Sequence, residues 1–291
     1  MRELKELDYM FSGLTHTQVV IIAGNHDYLK NDSYYRTYKW QGPVSMFLSQ
    51  ELRTIEFEEL KTCIYGLSYE QKEIREPLYD TACPQKRQPI EILLAHGGDE
   101  KHIPFNKNRL VGLGYDYIAL GHIHRPGMIE KNRIYYAGSL EPTDKNDIGK
   151  HGYIKGEITK KGTTAHFIPF STREYIHLEV EIHEKMTNHE VKELVSEKIR
   201  ENGVENIYKI ILKGYSDIDM IFDFSNMDTY GNILEFVDHT VPAYDYSKLL
   251  RQNEDNLLGK YIESFEGYQP GSMEEQALFE GVRALLETKR S

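Results

Sequence analysis

A layered α/β domain followed by a smaller α+β domain is the architecture that this 291-residue sequence predicts, on three observations. Three short aliphatic runs, Val19-Val20-Ile21-Ile22-Ala23, Ile92-Leu93-Leu94-Ala95 and Tyr117-Ile118-Ala119-Leu120, lack alternation, as strands covered on both faces do. Each run ends in a polar turn that contains glycine. The charge then shifts: residues 174–291 carry 12 Lys/Arg against 24 Asp/Glu, in a chain whose formal net charge is −11. The expected domains are therefore residues 1–172 and 173–291.

The elements follow in order. Leu4, Leu7, Tyr9, Met10, Phe11 and Leu14 give residues 1–14 the pattern of an amphipathic helix. After the three aliphatic runs, β patterns recur at residues 133–137, 153–157 and 164–170, with Lys160-Lys161-Gly162 as a hairpin turn. Residues 175–182 read as a strand. Thr187-Asn188-His189-Glu190 matches a capping box ahead of Val191, Leu194, Val195 and Ile199, and Asn202-Gly203 stops that helix. Residues 207–213 and 232–241 read as two more strands, and the remainder as helical. Met273-Glu274-Glu275 places acid on the first turn of the last helix, where Leu278, Val282, Leu285 and Leu286 form a stripe that reads as a core face.

Composition excludes several classes. With 40% apolar and 28% charged residues the chain can bury a core. No apolar run approaches the roughly 20 residues of a membrane span, and Met1-Arg2-Glu3-Leu4-Lys5 lacks the apolar stretch of a signal peptide. A soluble, cytoplasmic protein without membrane contact is expected. Cys63 and Cys83 form no CxxC pair and read as reduced thiols. The acidic C-terminal part lacks the clustered Lys and Arg that phosphate contacts need, so affinity for a nucleic acid would have to come from metals or another subunit.

The turns after the three aliphatic runs are Gly24-Asn25-His26-Asp27, His96-Gly97-Gly98-Asp99 and Gly121-His122-Ile123-His124. Loops at the carboxyl ends of parallel strands converge on one crevice, so these side chains can meet although they are far apart in sequence. Imidazole nitrogens and a carboxamide oxygen suit Mn, Fe or Zn. In the His-x-His segment both rings reach one site only if the backbone turns between them, and Gly121 offers that turn. Of the twelve histidines only His26, His96, His122 and His124 sit at such strand ends; His102, His151, His189 and the others read as structural or solvated. The aromatic cluster Tyr28, Tyr34, Tyr35, Tyr38 and Trp40 reads as packing.

With these turns, Gly121-His122-Ile123-His124-Arg125-Pro126, Tyr136-Ala137-Gly138-Ser139-Leu140-Glu141-Pro142 and Lys150-His151-Gly152-Tyr153, the chain resembles the calcineurin-like metallophosphoesterases, in particular the SbcD/YhaO-like DNA repair exonucleases of bacteria. The resemblance covers roughly residues 10–175. It implies a metallophosphoesterase layered α/β sandwich with a smaller α+β cap facing DNA or a partner. It also implies a two-metal centre, manganese in the exonuclease branch, that hydrolyses phosphodiesters in DNA. By motif position Asn25, His96 and His122 would hold the second metal and His124 would belong to the first. His26 would protonate the leaving oxygen, with Asp27 orienting its ring. The partners implied are DNA and an SbcC-like coiled-coil ATPase, with room for a homodimer.

The family pattern also has an Asp-x-His and a Gly-Asp on earlier strands. No Asp-x-His occurs here, and the one Gly-Asp is Gly98-Asp99 in the His96 turn. The reading is therefore of an N-terminally incomplete domain, with weak metal binding and impaired activity as the expectation. Asp99 is the one residue that could stand in for the bridging carboxylate, and its place in the His96 loop argues against it. Two alternatives stay open: another calcineurin-like phosphoesterase acting on a small phosphoester, and a non-catalytic fragment that docks a partner.

Overall fold

In the computed structural model, which describes residues 1–159, 161–269 and 271–290, the chain divides after Tyr175 into two units. The first holds helix α1 (Arg2–Ser12), strands β1 (Val19–Ile21), β2 (Val44–Met46), β3 (Arg53–Phe57), β4 (Thr62–Gly66) and β5 (Ile90–His96), helix α2 (Lys107–Gly112), then β6 (Tyr117–Gly121), β7 (Gly127–Glu130), β8 (Ile134–Tyr136), β9 (Gly152–Thr159) and β10 (Gly162–Pro169). The mixed α/β architecture expected from the sequence is the one observed.

The aliphatic runs build two sheets rather than one. β5 and β6 are parallel neighbours in a six-stranded sheet of order β3-β4-β5-β6-β8-β7, whereas β1 pairs in parallel with β2 in a separate two-stranded sheet. The layers are tied at their carboxyl ends: Ala23 N–H donates to Ser68 Oγ, Ser68 Oγ donates to the Phe47 carbonyl, and Tyr69 N–H donates to the Ala23 carbonyl. This stitching brings the turn after β1 beside the turns after β5 and β6. β4 escaped sequence reading because Thr62-Cys63-Ile64-Tyr65-Gly66 mixes polar and aromatic residues. Its position beside β5 is nonetheless central, with Cys63 and Tyr65 essentially inaccessible. Along β5 Leu93 and Ala95 are fully buried and the residues between them half-buried, so one face is completely covered and the other partly.

α1 departs from the expected pattern. Leu4 and Asp8 are its buried residues, while Tyr9 and Met10 face solvent. Asp8 is buried because it accepts hydrogen bonds from the N–H groups of Gln41 and Gly42 and from the Tyr38 hydroxyl. Those bonds hold its carboxyl below the usual carboxylate range, the Gly42 N–H first among them. β9 and β10 pair as an antiparallel hairpin; Lys160 of its expected turn lies outside the described residues.

The second unit contains β11 (Tyr175–Ile182) from its second residue on, α3 (Asn188–Asn202), β12 (Ile207–Ser216), β13 (Ile233–Asp238), β14 (Val241–Pro242), α4 (Tyr246–Gln252), α5 (Leu257–Glu263) and α6 (Met273–Arg290). Its sheet runs β11-β12-β13, and β14 pairs in parallel with the end of β12. α3 packs Val191, Val195 and Ile199 onto Val180, Tyr208, Ile210 and Leu212. Leu278 and Val282 of α6 are buried against Leu258 and Ile262 of α5, so the stripe read from the sequence is a core face. Among the described residues, no helix is long and apolar enough to cross a membrane.

The capping box of α3 is formed as the sequence predicts: Glu190 N–H donates to Thr187 Oγ1 at 3.3 Å and Thr187 N–H to Glu190 Oε2 at 2.8 Å. Thr187→Ala is expected to destabilise the second unit by about 1 kcal/mol. Urea unfolding followed by helical circular dichroism measures this, and an unchanged midpoint would contradict the cap's role.

Candidate metal centre

Asn25 is the point of convergence. It follows β1 and is buried at 3% exposure, an unusual place for a carboxamide. His96 Nε2 lies 2.8 Å from its Oδ1 and His122 Nδ1 lies 3.3 Å away, so three turns deliver one oxygen and two ring nitrogens to one spot. The His96 and His122 rings stand 5.1 Å apart, edge to face.

The local backbone is shaped for this approach. A Cβ at Gly24 would fall 2.5 Å from His96 Cε1, so only glycine lets the Asn25 turn close over that ring. In the His-x-His segment the turn is made at His122 itself, with φ at +96°, and not at Gly121 as the sequence suggested. A non-glycine residue in that region is strained and needs surrounding contacts to hold it. Tyrosines brace the His96 turn: Tyr69 OH donates to the His96 carbonyl at 2.9 Å, His96 N–H donates to Tyr79 OH at 3.1 Å, and Tyr136 OH donates to the Gly97 carbonyl at 2.8 Å. Burial, and then the charge of Asp99, pushes the Tyr136 hydroxyl up to about 12, so it remains a donor.

The sequence reading places Asp99 in the wrong loop for a bridging carboxylate and takes His102 as structural or solvated, yet both join this neighbourhood. Gly97 and Gly98 both have positive φ and fold the loop back, so that Asp99 bridges to His102 and reaches His122. Asp99 Oδ2 lies 2.6 Å from His122 Nε2, and Asp99 Oδ1 lies 2.8 Å from His102 Nδ1. Asp99, His102 and His122 thus form a cluster able to hold a cation. Burial alone would raise the Asp99 pKa, but hydrogen bonds with His102, His122 and the Lys101 N–H hold it well below the usual carboxylate range. His102 had read as structural or solvated; no local signal distinguished it, since its partner is fixed by the fold of the Gly-Gly turn.

His124 takes different partners, Asp147 Oδ2 at 3.1 Å and Thr143 Oγ1 at 3.0 Å. His26 is exposed beside buried Asn25. Asp27 does not orient it: one carboxylate oxygen accepts from the Gly24 N–H at 2.7 Å and the other from the Tyr35 hydroxyl at 3.0 Å. Asp27 instead closes the Asn25 turn, and Tyr35 is pushed up to about 12 by burial and then by that carboxylate. His151 is fully buried between Ser139 and the Asp147 carbonyl, a structural role as read from the sequence.

The donor set suits a divalent cation. Burial, and then the nearby His122, His102, His26 and His124, lower the pKa of His96 to about 4, which keeps its ring neutral with a lone pair to offer. Imidazole nitrogens suit zinc and iron, and a carboxamide oxygen suits manganese, so the mixed set can take any of these divalent ions.

Residues 2–126 match the family model for calcineurin-like phosphoesterases. The chain is also similar to the uncharacterized metallophosphoesterase YhaO of Bacillus subtilis (strain 168), with 29% identity over 155 residues. That match covers 48% of this chain and 37% of the relative, so the chain spans little more than a third of that protein's length.

Because His96 binds its proton less readily folded than unfolded, the unfolded state gains protons first on acidification. The stability tied to its neutral form is complete above about pH 6.5 and is lost as pH falls toward about 4 in the metal-free protein. The stability difference between wild type and His96→Gln should shrink across that window in urea titrations. A difference constant with pH would contradict the assignment.

Proposed function

We propose that this protein is a metal-dependent phosphodiesterase acting on DNA ends, of the SbcD/YhaO-like exonuclease type, with manganese as its working metal. The observation that carries the reading is the meeting of Asn25 Oδ1, His96 Nε2 and His122 Nδ1 beside an exposed His26. Asn25, His96 and His122 would hold one cation, and His124 would serve a second. Metal ions at such a centre neutralise developing charge on phosphoryl oxygens and make bound water acidic.

The chain's own residues do the rest. The Gly24 close approach and the tyrosine braces hold the ligands in place before substrate arrives. His26 projects from the same turn as Asn25, so a phosphoester bound at the centre comes within reach of its imidazole, which would give a proton to the leaving oxygen. Asp27 keeps that turn closed.

The choice of DNA is supported by the extent of the resemblance, which runs past the metal turns through residues 136–142 and 150–153. Residues 174–291 carry twice as many acidic as basic residues, and an SbcC-like coiled-coil ATPase partner would supply the positive surface. A small phosphoester is the second reading, favoured by the family match, which specifies phosphoester chemistry without a substrate.

Purified protein with Mn2+ is expected to release nucleotides from an end-labelled duplex slowly, because the chain holds no Asp-x-His to complete the cation site of His124. His26→Ala should reduce the rate by about 10²–10⁴-fold while binding Mn2+ as wild type does. Cleavage of p-nitrophenyl phosphate with no release from DNA would favour the second reading. Undiminished rates in His26→Ala would remove its role as the acid.

A further inference from the structure

We infer that Asp99 and Asp147 are positioning residues that fix the two histidines of the His-x-His segment in opposite tautomers, His122 offering Nδ1 and His124 offering Nε2 as its free nitrogen. The inference rests on the metal reading above and adds two residues that neither the motifs nor the family match assigns.

A carboxylate can only accept, so the ring nitrogen in contact with it carries the proton. Asp99 Oδ2 at 2.6 Å from His122 Nε2 therefore places the proton on Nε2. The lone pair of the neutral ring is then on Nδ1, the nitrogen that faces Asn25 Oδ1 at 3.3 Å. Two acceptor lone pairs pointing at each other repel unless a cation lies between them. For His124 the pattern is reversed. Thr143 Oγ1 donates its proton to Asp147 Oδ2 at 2.9 Å, so both neighbours of His124 Nδ1 present it with lone pairs. Nδ1 carries the proton and Nε2 is left free.

Each carboxylate is itself held. Asp99 Oδ1 accepts from the N–H groups of Lys101 and His102 and contacts His102 Nδ1. Asp147 Oδ2 accepts from the N–H groups of Thr143 and Asp144, and its carbonyl is anchored by His151 Nε2 at 3.1 Å. Metal-binding histidines elsewhere are oriented in this way by a carboxylate on the opposite nitrogen. The strain at His122, with its positive φ, is offset by the hydrogen bond from its Nε2 to Asp99 Oδ2.

The test uses the whole chain labelled with ¹⁵N-histidine, free of metal at pH 8, with ring signals assigned by their loss in His122→Gln and His124→Gln. Expected are protonated Nε2 in His122 and protonated Nδ1 in His124. Zn2+ titration should then show about 10–100-fold weaker binding in Asp99→Ala and in Asp147→Ala with the number of ions unchanged, and partial recovery in Asp99→Asn, whose amide oxygen still accepts. The inference is overturned by the reverse tautomer at either ring, by wild-type affinity in both alanine variants, or by loss of a bound ion in Asp99→Ala and Asp99→Asn alike, which would make Asp99 a ligand. Wild-type Zn2+ binding by His122→Gln alongside the expected tautomers would instead sink the metal reading, and the positioning role with it.

Discussion

A buried carboxamide oxygen on Asn25 approached by two imidazole nitrogens is the constraint that organises the first unit. In the metal-free protein the neutral His96 ring donates its Nε2–H to Asn25 Oδ1, while His122, with Nε2 held by Asp99, turns the lone pair of Nδ1 toward the same oxygen. The lowered pKa of His96 shows that its burial and its histidine neighbours resist a second proton. A cation bound there would displace the His96 Nε2 proton and accept lone pairs from Asn25 Oδ1 and both rings.

The fold meets this constraint through backbone and hydroxyl groups more than through apolar packing. Sheet hydrogen bonds run between β5 and β6 up to the His96–Gly121 pair, so the two turns emerge side by side. The β1 layer is joined to them by Ser68 and Tyr69 at their carboxyl ends. Three tyrosines fix the His96 turn, and glycine at position 24 allows the Asn25 turn to close against the ring. The hydrophobic core beneath, including Leu93, Ala95, Ile118 and Leu120, supplies rigidity on which these sub-ångström preferences depend.

Much of this was legible in the sequence because the informative features are local. An aliphatic run followed by a polar glycine turn identifies a strand and the chemistry at its end, and it located Asn25, His96 and His122 from residues alone. The capping box at Thr187 and the stripe on α6 were equally local and equally readable. What escaped depends on contacts between distant segments. β1 joins β2 rather than β5 because pairing partners are not written in a strand's own pattern. Asp99 and His102 join the cluster only because Gly97 and Gly98 reverse the loop, and Asp147 meets His124 through a turn fixed by His151 and Thr143. α1 misled because its apolar residues are largely exposed, while a hydrogen-bonded aspartate takes the buried face.

The central claim is that Asn25, His96 and His122 share one cation, and diffraction from zinc-soaked crystals recorded at the zinc absorption edge tests it most directly. The predicted result is an anomalous peak about 2.0–2.2 Å from Asn25 Oδ1, His96 Nε2 and His122 Nδ1 together. A peak seated instead among Asp99, His102 and His122 Nε2, with Asn25 still hydrogen-bonded to His96, would contradict it.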